Sequence, residues 1–420
     1  MTYKKYINNQ SAPNNNTSSS SSIPKIKSPI KKNGHVEKLK QIDKIGRNLI
    51  SHKPRILNDV KSSLSNRGIY KKTSIVSKNN NNLKGNIRVF CRVRPQTSAE
   101  KDDPLTEIKY PESYDNKKIV IGSVVKNYLR MSRNVYKEYE FDYVFKSDST
   151  QEQVYAEIAH VVQSVVDGYN CCIFAYGQTG AGKTYTMQGS NTPESEGMIT
   201  RAFRHIFSLV NELKSQGWNY TIEGQFIEIY NDNVYDLLKI PRGKFKDIKI
   251  THDIEKGSTR IANVKTVLES ATKHRSVAST KMNNNSSRSH SIFMIHIEGL
   301  NLITNETRSG SLNLIDLAGS EKISTYDSTG DLQTETIYIN KSLSSLKTVI
   351  QNIKESTSHI NYRDSILTYV LKNSLGGNAK VLMLVNISPI KSSQAETESS
   401  LEFGRVAKAA HIGIAKKVKT

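Results

Sequence analysis

The sequence has few cysteines and no long hydrophobic run. Its 420 residues include three cysteines, at positions 91, 171 and 172, and none belongs to a Cys-x-x-Cys pair. This usage argues against a disulfide framework or a zinc site and fits a reducing compartment. No stretch has the length of a transmembrane helix, and Met1 to Gln10 lacks the apolar core of a signal peptide. We therefore expect a cytosolic or nuclear protein.

Acidic residues are scarce in the first fifth of the chain. Residues 1–86 hold 15 Lys and 3 Arg but three acidic residues, so most of the total net charge of +21 lies there. A concentrated basic segment indicates an acidic partner, such as nucleic acid, an anionic membrane or an acidic protein surface. The basic cluster at 24–32 suits nuclear import or contact with an acidic polymer, and it suits a solvated tail equally well.

Composition divides the chain into a tail and one domain. Residues 1–35 are rich in Asn, Ser, Lys and Pro and cannot bury enough apolar surface to offset the ordering entropy, so they are predicted to be disordered. The apolar residues of 36–66 do not sustain a heptad, which argues against a long coiled coil. We expect a basic, largely disordered tail with a short neck over 1–83, a domain over 84–415 and a short basic tail over 416–420.

Short apolar strands alternate with helical segments from residue 86 onwards. Strands are predicted at Ile87–Val93, Cys171–Tyr176, Tyr220–Tyr230, Ser291–Ile297, Ser311–Leu317 and Lys380–Ile387. Helices are predicted at Glu152–Val166, Met198–Ser215, Ile339–Lys354 and Asp364–Asn373. This alternation predicts an α/β fold with a mainly parallel central sheet and helices on both faces.

A glycine-rich stretch follows the predicted strand at 171–176. Residues 177–184 (GQTGAGKT) fit the pattern G-x-x-x-x-G-K-[ST] of a phosphate-binding P-loop. In this pattern the glycines let backbone N–H groups turn towards the phosphates, Lys183 reaches the β- and γ-phosphates, and the Thr184 hydroxyl holds Mg²⁺. The alternative is a structural glycine turn. The strand before the loop and the helix predicted after it favour the nucleotide site, because a helix N-terminus attracts anions.

Two further segments carry groups that suit a γ-phosphate and a metal. The predicted strand SLNLID ends at Asp316, which is placed to hold the water shell of Mg²⁺ beside a P-loop. Gly319 follows, and its backbone N–H can approach a phosphate because no side chain intervenes. The segment 283–290 (NNNSSRSH) supplies hydroxyls and one arginine. Taken alone, each segment is also compatible with an ordinary strand end or a polar loop.

Taken together, these motifs resemble the kinesin motor domain. GQTGAGKT, NxxSSRSH and DLAGSE occur in the order of its P-loop, switch I and switch II. The surrounding sequence agrees at 87–95 (IRVFCRVRP), 228–238 (EIYNDNVYDLL), 339–343 (INKSL), 362–365 (YRDS) and 376–389 (GGNAKVLMLVNISP). The resemblance covers about 330 residues and implies the kinesin form of the P-loop NTPase fold.

The resemblance implies roles for individual residues. ATP would be bound by Arg92, Arg94 and Pro95 beside the adenine, by Tyr185 on the base, and by Gly177, Gln178, Thr179, Gly180, Ala181, Gly182, Lys183 and Thr184 around the phosphates. Mg²⁺ would be held by Thr184, Ser287 and, through water, Asp316. The catalytic set would be Ser286, Ser287, Arg288, Gly319 and Glu321, with an Arg288–Glu321 ion pair closing the two switches around ATP. Lys341, Tyr362 and Arg363 would contact the microtubule.

The same resemblance implies a function. The segment LKGNIRV at 83–89 is similar to the start of the motor in the C-terminal-motor, minus-end-directed kinesin-14 class, and eleven residues follow Ala409, which we expect leaves no room for a neck linker and stalk. A microtubule-stimulated ATPase that moves towards the minus end in spindle or nuclear positioning is therefore expected. It would act on cytoplasmic or spindle microtubules, with a nuclear location also open. An accessory or dimerisation partner is left as an open alternative, and no membrane partner is expected. An ATPase stimulated by nucleic acid is disfavoured.

Several positions depart from the family pattern. The helix before switch I is about ten residues short, and positive charge is absent at Leu332, Ile366 and Glu402, where the family has basic residues on or near the polymer face. Lys341 and Lys347 are candidates to offset that loss. These departures favour an alternative function, a nucleotide-dependent microtubule crosslinker or end regulator with weak or no motility.

Overall fold

The computed structural model describes residues 85–111, 116–126, 132–190, 192–238, 249–261, 267–268, 287–321 and 331–418. The predicted tail over 1–83, the short helix expected before switch I, and Ser286 lie outside these residues. Among the helices that are described, none combines the length and apolar character needed to cross a bilayer.

Strands and helices alternate along the described chain. The strands are β1 Arg88–Val93, β2 Glu107–Lys109, β3 Lys118–Lys126, β4 Ser132–Glu140, β5 Tyr143–Phe145, β6 Asn170–Tyr176, β7 Trp218–Tyr230, β8 Asn233–Asp236, β9 Ile250–Asp253, β10 Ser258–Ile261, β11 Val267–Leu268, β12 His290–Asn301, β13 Thr307–Asp316 and β14 Lys380–Ile387. The α-helices are α1 Gln151–Val166, α2 Lys183–Met187, α3 Met198–Lys214, α4 Asp331–Lys354, α5 Ile366–Val370, α6 Lys372–Leu375 and α7 Gln394–Ala409.

One large sheet organises the domain. Its strand order is β11-β7-β12-β13-β6-β14-β1-β5, with β8 paired to β7. The contacts from β13 through β6, β14 and β1 to β5 are parallel, whereas β7, β12 and β13 pair antiparallel. The predicted α/β fold with a parallel central sheet is thus confirmed at its centre, and an antiparallel group extends one side. Because β13, β6, β14 and β1 run parallel, their carboxyl ends meet at one edge.

A hydrophobic core lies on each face of the sheet. Helices α1 and α3 cover one face, and α4 to α7 cover the other. The adjacent cysteines on β6 illustrate the alternation, because Cys171 points into the first core and Cys172 into the second. Both thiols are free and fully buried, and burial raises the pKa of each to about 12. They therefore pack as small hydrophobic side chains, as predicted.

The predicted elements are present, and their bounds shift in two informative places. Helix α4 begins at Asp331, eight residues before the predicted start at Ile339. The single helix predicted over Asp364–Asn373 is wrong, because it is divided into a 3₁₀ turn at Tyr362–Asp364 and helices α5 and α6. Ser365 has extended backbone angles and its side chain accepts a hydrogen bond from the Thr368 N–H, so it ends one segment and caps the next.

Candidate nucleotide site

The P-loop connects the carboxyl end of β6 to α2 at the sheet edge where the parallel strands end. Its first residue, Gly177, has φ +148°, and an added Cβ would overlap the carbonyl oxygen of Asn386 on β14. The Gly177 carbonyl accepts a hydrogen bond of 3.0 Å from the Ser320 N–H. Only glycine lets the loop start this close to both neighbouring strands.

Lys183 lies beneath the loop rather than in solvent. Its side chain is 6% exposed, and its ammonium donates a hydrogen bond of 2.8 Å to the Gln178 carbonyl. Burial lowers the pKa of Lys183, and the nearby carboxylates of Asp316 and Glu321 act in the opposite direction. The Gln178 side chain is tied to Ser393 at 2.9 Å. A buried cation facing the loop matches the role predicted for Lys183, that of meeting phosphate charge.

Thr184 and Asp316 face one another at the predicted metal position. The Thr184 hydroxyl hydrogen bonds to the Asp316 carboxylate, which is buried. Burial raises the pKa of Asp316 to about 6, although the hydrogen bond from Thr184 and the charge of Lys183 lower it. Its Oδ1 atom is buried without a hydrogen-bond partner among the described residues. A hydroxyl beside an unsatisfied carboxylate oxygen is a donor set that fits Mg²⁺.

Arg94 fixes the outside of the P-loop. Its Nε donates to the Gly180 carbonyl at 2.6 Å, and its two terminal nitrogens form a bidentate pair with Glu100 at 2.6 and 2.5 Å. The Arg94 guanidinium holds the pKa of Glu100 at about 2, well below its usual value. A bidentate pair of this kind constrains the guanidinium plane. Arg94 therefore positions the loop, and the adjacent Pro95 remains exposed.

Arg92 occupies the buried part of the predicted adenine site. Its side chain is 6% exposed, and Nη1 donates to Gln151 at 2.7 Å and to the Thr186 hydroxyl at 2.9 Å. Its guanidinium carbon lies 5.5 Å from the centre of the Tyr185 ring. Tyr185 is 46% exposed, which leaves ring surface available for a base. The adenine role thus stays a prediction for Tyr185 and for Arg92, whose guanidinium lies beside the Tyr185 ring.

The predicted Arg288–Glu321 ion pair is not formed in this structure. Glu321 instead accepts hydrogen bonds from the Thr179 N–H at 2.7 Å and from the Thr179 hydroxyl. Arg288 pairs with Glu335 on α4, with Nη1 and Oε2 separated by 3.0 Å. The physical reason is that each charged group has another partner. Glu321 accepts from a P-loop N–H that would otherwise meet phosphate, and Arg288 pairs with Glu335, whose carboxylate is almost fully buried.

The two switch segments are joined through their backbones. The Gly319 N–H, predicted to approach a γ-phosphate, donates a hydrogen bond of 2.9 Å to the Ser287 carbonyl. An added Cβ at Gly319 would overlap both Thr179 and Glu321. Gly319 therefore lies against the P-loop, as predicted, and its N–H is engaged by switch I.

His290 links the nucleotide edge to helix α4. Its Nδ1 accepts a hydrogen bond of 3.0 Å from the Ala318 N–H, which fixes the proton on Nε2, and Nε2 lies 2.8 Å from the Ser342 hydroxyl. Complete burial lowers the pKa of His290 to about 3, so the ring is neutral. One imidazole thus connects β12, the start of switch II and the middle of α4.

The residues predicted to contact microtubules lie on or beside α4. Lys341 is half-exposed and its ammonium is 3.6 Å from Asp232, and Arg363 is exposed. Tyr362 is only partly exposed, with its hydroxyl 3.4 Å from the Leu375 carbonyl. The Lys347 ammonium lies 5.9 and 5.8 Å from the centres of the Tyr176 and Phe403 rings, and its part in offsetting the lost charge stays a prediction.

Five residues that organise this site were not predicted from the sequence. They hold the cradle (Glu100, Gln151 and Asn386) or connect the switches to α4 (Glu335 and His290). Asn386 donates to the Thr186 hydroxyl at 2.8 Å. A signal was present for Asn386 and His290, which belong to the motifs NISP and NxxSSRSH. Glu100 and Gln151 lie outside the motifs, and only tertiary packing shows their part.

Fold and site together define a P-loop nucleotide-binding protein of the α/β class. The family model described as kinesin motor domain matches residues 92–410, and the chain therefore belongs to the kinesin motor family. Kinesin motor domains are microtubule-stimulated ATPases.

Relatives of the C-terminal-motor class are similar to this chain. Carboxy-terminal kinesin 2 of Xenopus laevis is 46% identical over 354 residues, which is 80% of this chain and 54% of that protein. The motor domain of the Kar3-like kinesin from Ashbya gossypii matches with TM-score 0.64 and 42% identity, over 77% of this chain and 99% of that one. The C-terminal motor and motor homology domain of Kar3Vik1, fused to a synthetic heterodimeric coiled coil, matches with TM-score 0.69 and 36% identity. The match covers 89% of this chain and 99% of that one. The chain spans about half the length of the curated relatives it matches.

Proposed function

We propose that this chain is an ATP-hydrolysing microtubule motor of the kinesin-14 type. The observation that carries the proposal is the direct connection between the nucleotide edge and α4: His290 bonds Ala318 in switch II and Ser342 in the helix that also carries Lys341. A change at the switches is therefore transmitted to the helix that we expect to face the polymer.

ATP would be held by groups that already converge on the P-loop. Lys183 would exchange its bond to the Gln178 carbonyl for phosphate oxygens, and Tyr185 would offer its exposed ring to the base. Thr184, Asp316 and Ser287 would hold Mg²⁺, which supplies charge neutralisation on the phosphates. Asp316 must be ionised for that role, and its raised pKa of about 6 means that the cation would displace a proton below neutral pH.

Hydrolysis would need the switch residues to exchange partners. Arg288 would leave Glu335, and Glu321 would leave Thr179, so that the two could pair across the γ-phosphate. Ser286 and Ser287 would then orient the attacking water, and the Gly319 N–H would turn from the Ser287 carbonyl to phosphate. Phosphoryl transfer depends mainly on positioning and charge stabilisation, so residues of these types are sufficient.

The track would be recognised by positive charge around α4. Lys341 and Arg363 are the exposed cations of the predicted contact set, and an acidic polymer attracts them over several ångströms. The basic segment 1–83 would add a tether that raises the local concentration of the motor. Deleting 1–83 is expected to weaken microtubule affinity several-fold and flatten its salt dependence, as measured by cosedimentation across a salt series. An unchanged salt slope would contradict the tether.

Minus-end direction and action in the spindle or in nuclear positioning are proposed from the C-terminal-motor relatives. The same relatives favour the microtubule cytoskeleton as the location. A partner subunit is also proposed, because a similar motor is described with a second, motor homology domain in Kar3Vik1. Nucleic acid is not proposed as a partner, since it would leave the residues around α4 without a role.

A microtubule crosslinker or end regulator is the second candidate. The inward position of Lys347 favours it, as does Glu402, whose carboxylate pairs with Arg405 where the family has a basic residue. These features reduce positive charge near the expected polymer face without affecting the nucleotide cradle.

ATP turnover by the full chain, with and without microtubules, distinguishes these functions. A motor predicts strong stimulation that disappears in Lys183→Ala, together with movement of microtubules over surface-attached protein. Basal turnover without stimulation would contradict the motor and support the regulator. Stimulation by DNA instead of microtubules would overturn both.

A further inference from the structure

A second cavity lies at the edge of the sheet opposite the P-loop. It has a volume of about 130 Å³, enough for several water molecules. Arg88 begins β1 and Lys380 begins β14, so the cavity sits at the amino ends of parallel strands. His160 of α1 and Tyr169 also line it, and backbone from 85–86 and 413–415 closes one side.

The polar side chains of this cavity are cations and their neutral partners. Arg88 Nη1 is 2.5 Å from His160 Nε2, so Nε2 accepts and His160 is neutral. The Lys380 ammonium donates to the Ser164 hydroxyl at 2.9 Å and lies 3.9 Å from the centre of the Tyr169 ring. Lys417 lies 5.7 Å from the same ring. Burial lowers the pKa of Arg88, Lys380 and His160 alike.

The described residues place no carboxylate in contact with these cations, because neither Arg88 nor Lys380 forms an ion pair within 4.0 Å there. Asp142, Glu157 and Asp167 act on them only at longer range. Asp142 accepts the Val89 N–H at 2.7 Å through Oδ2. Withdrawing two cations from water without a counterion in contact is costly, and a bound anion would reduce that cost.

The chain segments that flank the cavity bring no acid to it. Residues 85–99 and 403–418, the described parts of these segments, contain no Asp or Glu, although both contain Lys or Arg. The backbone of the incoming segment bonds to that of the outgoing one, with the Ile412 and Gly413 N–H groups donating to the Gly85 carbonyl at 2.8 and 3.1 Å. These two segments therefore supply no counterion of their own.

We propose that this cavity is a binding site for a phosphate-type oxyanion, either free phosphate or a phosphomonoester group. The planar guanidinium of Arg88 offers a fork of donors, and the Lys380 ammonium offers a second charge from the neighbouring strand. Arg88 pairs with Leu382 on the adjacent strand, two residues from Lys380, and one tetrahedral anion would bridge both cations. Binding would join the start and the end of the domain at the place where residues 85–86 meet 411–413. This site does not depend on the proposed motor function.

Selenate locates the site directly. The full chain is crystallised with Mg²⁺ and saturating ADP, which occupies the P-loop, and the crystals are soaked in selenate, whose selenium gives an anomalous signal. The proposal predicts an anomalous peak between Arg88 and Lys380. A peak confined to the P-loop, or none, would overturn it.

Affinity in solution gives the second test. Phosphate binding to the ADP-saturated chain is measured by calorimetry at constant ionic strength for wild type, Arg88→Met, Lys380→Met and the exposed control Lys372→Met, with mant-ADP binding as the check of folding. Methionine keeps the apolar stem that each long side chain packs. We expect at least about tenfold weaker binding in the two cavity variants and no change in the control. Equal affinity in all four proteins would contradict the proposal.

A third measurement distinguishes free phosphate from a phosphomonoester as the bound anion. O-phospho-L-serine and a phosphoserine peptide replace phosphate in the same titration. Binding of phosphate alone assigns the site to the free ion, whereas tighter binding of the peptide assigns it to a phosphorylated segment. If either cavity variant fails to fold, the selenate map of the wild-type chain decides the question.

Discussion

The P-loop cradle and the switch segments meet at one sheet edge, yet they are held in different ways. The cradle is fixed by side chains that bond it to neighbouring strands: Arg94 to the Gly180 carbonyl, and Arg92 and Asn386 to the Thr186 hydroxyl. The switches are held by bonds at the positions where phosphate would act. Glu321 occupies the Thr179 N–H, and Arg288 is paired with Glu335.

This difference separates binding from hydrolysis. In the proposed function the cradle would change little beyond the exchange of the Lys183 bond when ATP arrives, so it would contribute affinity. The proposed Arg288–Glu321 pair would require the switch bonds to break, so hydrolysis would depend on a conformational step. Variants of the two regions should therefore fail in different measurements.

The largest effect is expected from Lys183→Ala. Removing the buried ammonium deletes the charge that faces the phosphates, and turnover should fall to background while ATP affinity weakens by about 100-fold or more. Both quantities are measured on the same preparation, with Lys372→Ala as an exposed control. Retained turnover would show that the cradle is not the nucleotide site.

Glu321→Ala should separate the two regions. We expect microtubule-stimulated turnover to fall about 100-fold, because the partner of Arg288 is lost, while ATP affinity is preserved, since the Thr179 N–H becomes free for phosphate. Stopped-flow binding of mant-ATP and steady-state turnover check this, with Glu255→Ala as the exposed control. A parallel loss of affinity would mean that Glu321 belongs to the cradle.

His290→Ala tests the connection to α4. It leaves the buried Ala318 N–H without its acceptor, which should lower the free energy of unfolding by about 1–3 kcal/mol and reduce microtubule stimulation. His296 lies on the same face of β12 and is also buried, so His296→Ala is a matched control. Urea unfolding and turnover ratios are measured for both. The connection would be refuted if the two variants lost stimulation equally.

The smallest effect is expected from Glu100→Gln at the outer clamp. The pKa of Glu100 is depressed from 4.5 to about 2, so its contribution to stability is present above pH 4.5 and is lost as the pH falls towards 2. Since the pair is partly exposed, the melting temperature should drop by about 2–4 °C at pH 7. The gap between variant and wild type should narrow in acid. A gap independent of pH would argue against the clamp.

The sequence predicted the parts of this molecule that local pattern determines. Strand β14 has the predicted bounds because a continuous apolar run is buried on both faces. The glycine spacing at 177–184 likewise predicted the P-loop. The early start of α4 at Asp331 was not predicted, because its first turns lack a regular apolar pattern. The partners of Arg288 and Arg92 depend on which distant carboxylate or hydroxyl packs nearby, and spacing along the chain contains no such information.

A crystal structure of the chain with Mg²⁺ and a non-hydrolysable ATP analogue would show whether the cradle and the switches respond differently to nucleotide. We expect the Arg94–Gly180 and Arg92–Thr186 bonds to stay in place, while Glu321 leaves Thr179 and pairs with Arg288. A structure in which Glu321 still bonds Thr179 beside a bound analogue, or in which the Arg94 and Arg92 bonds rearrange instead, would contradict this expectation.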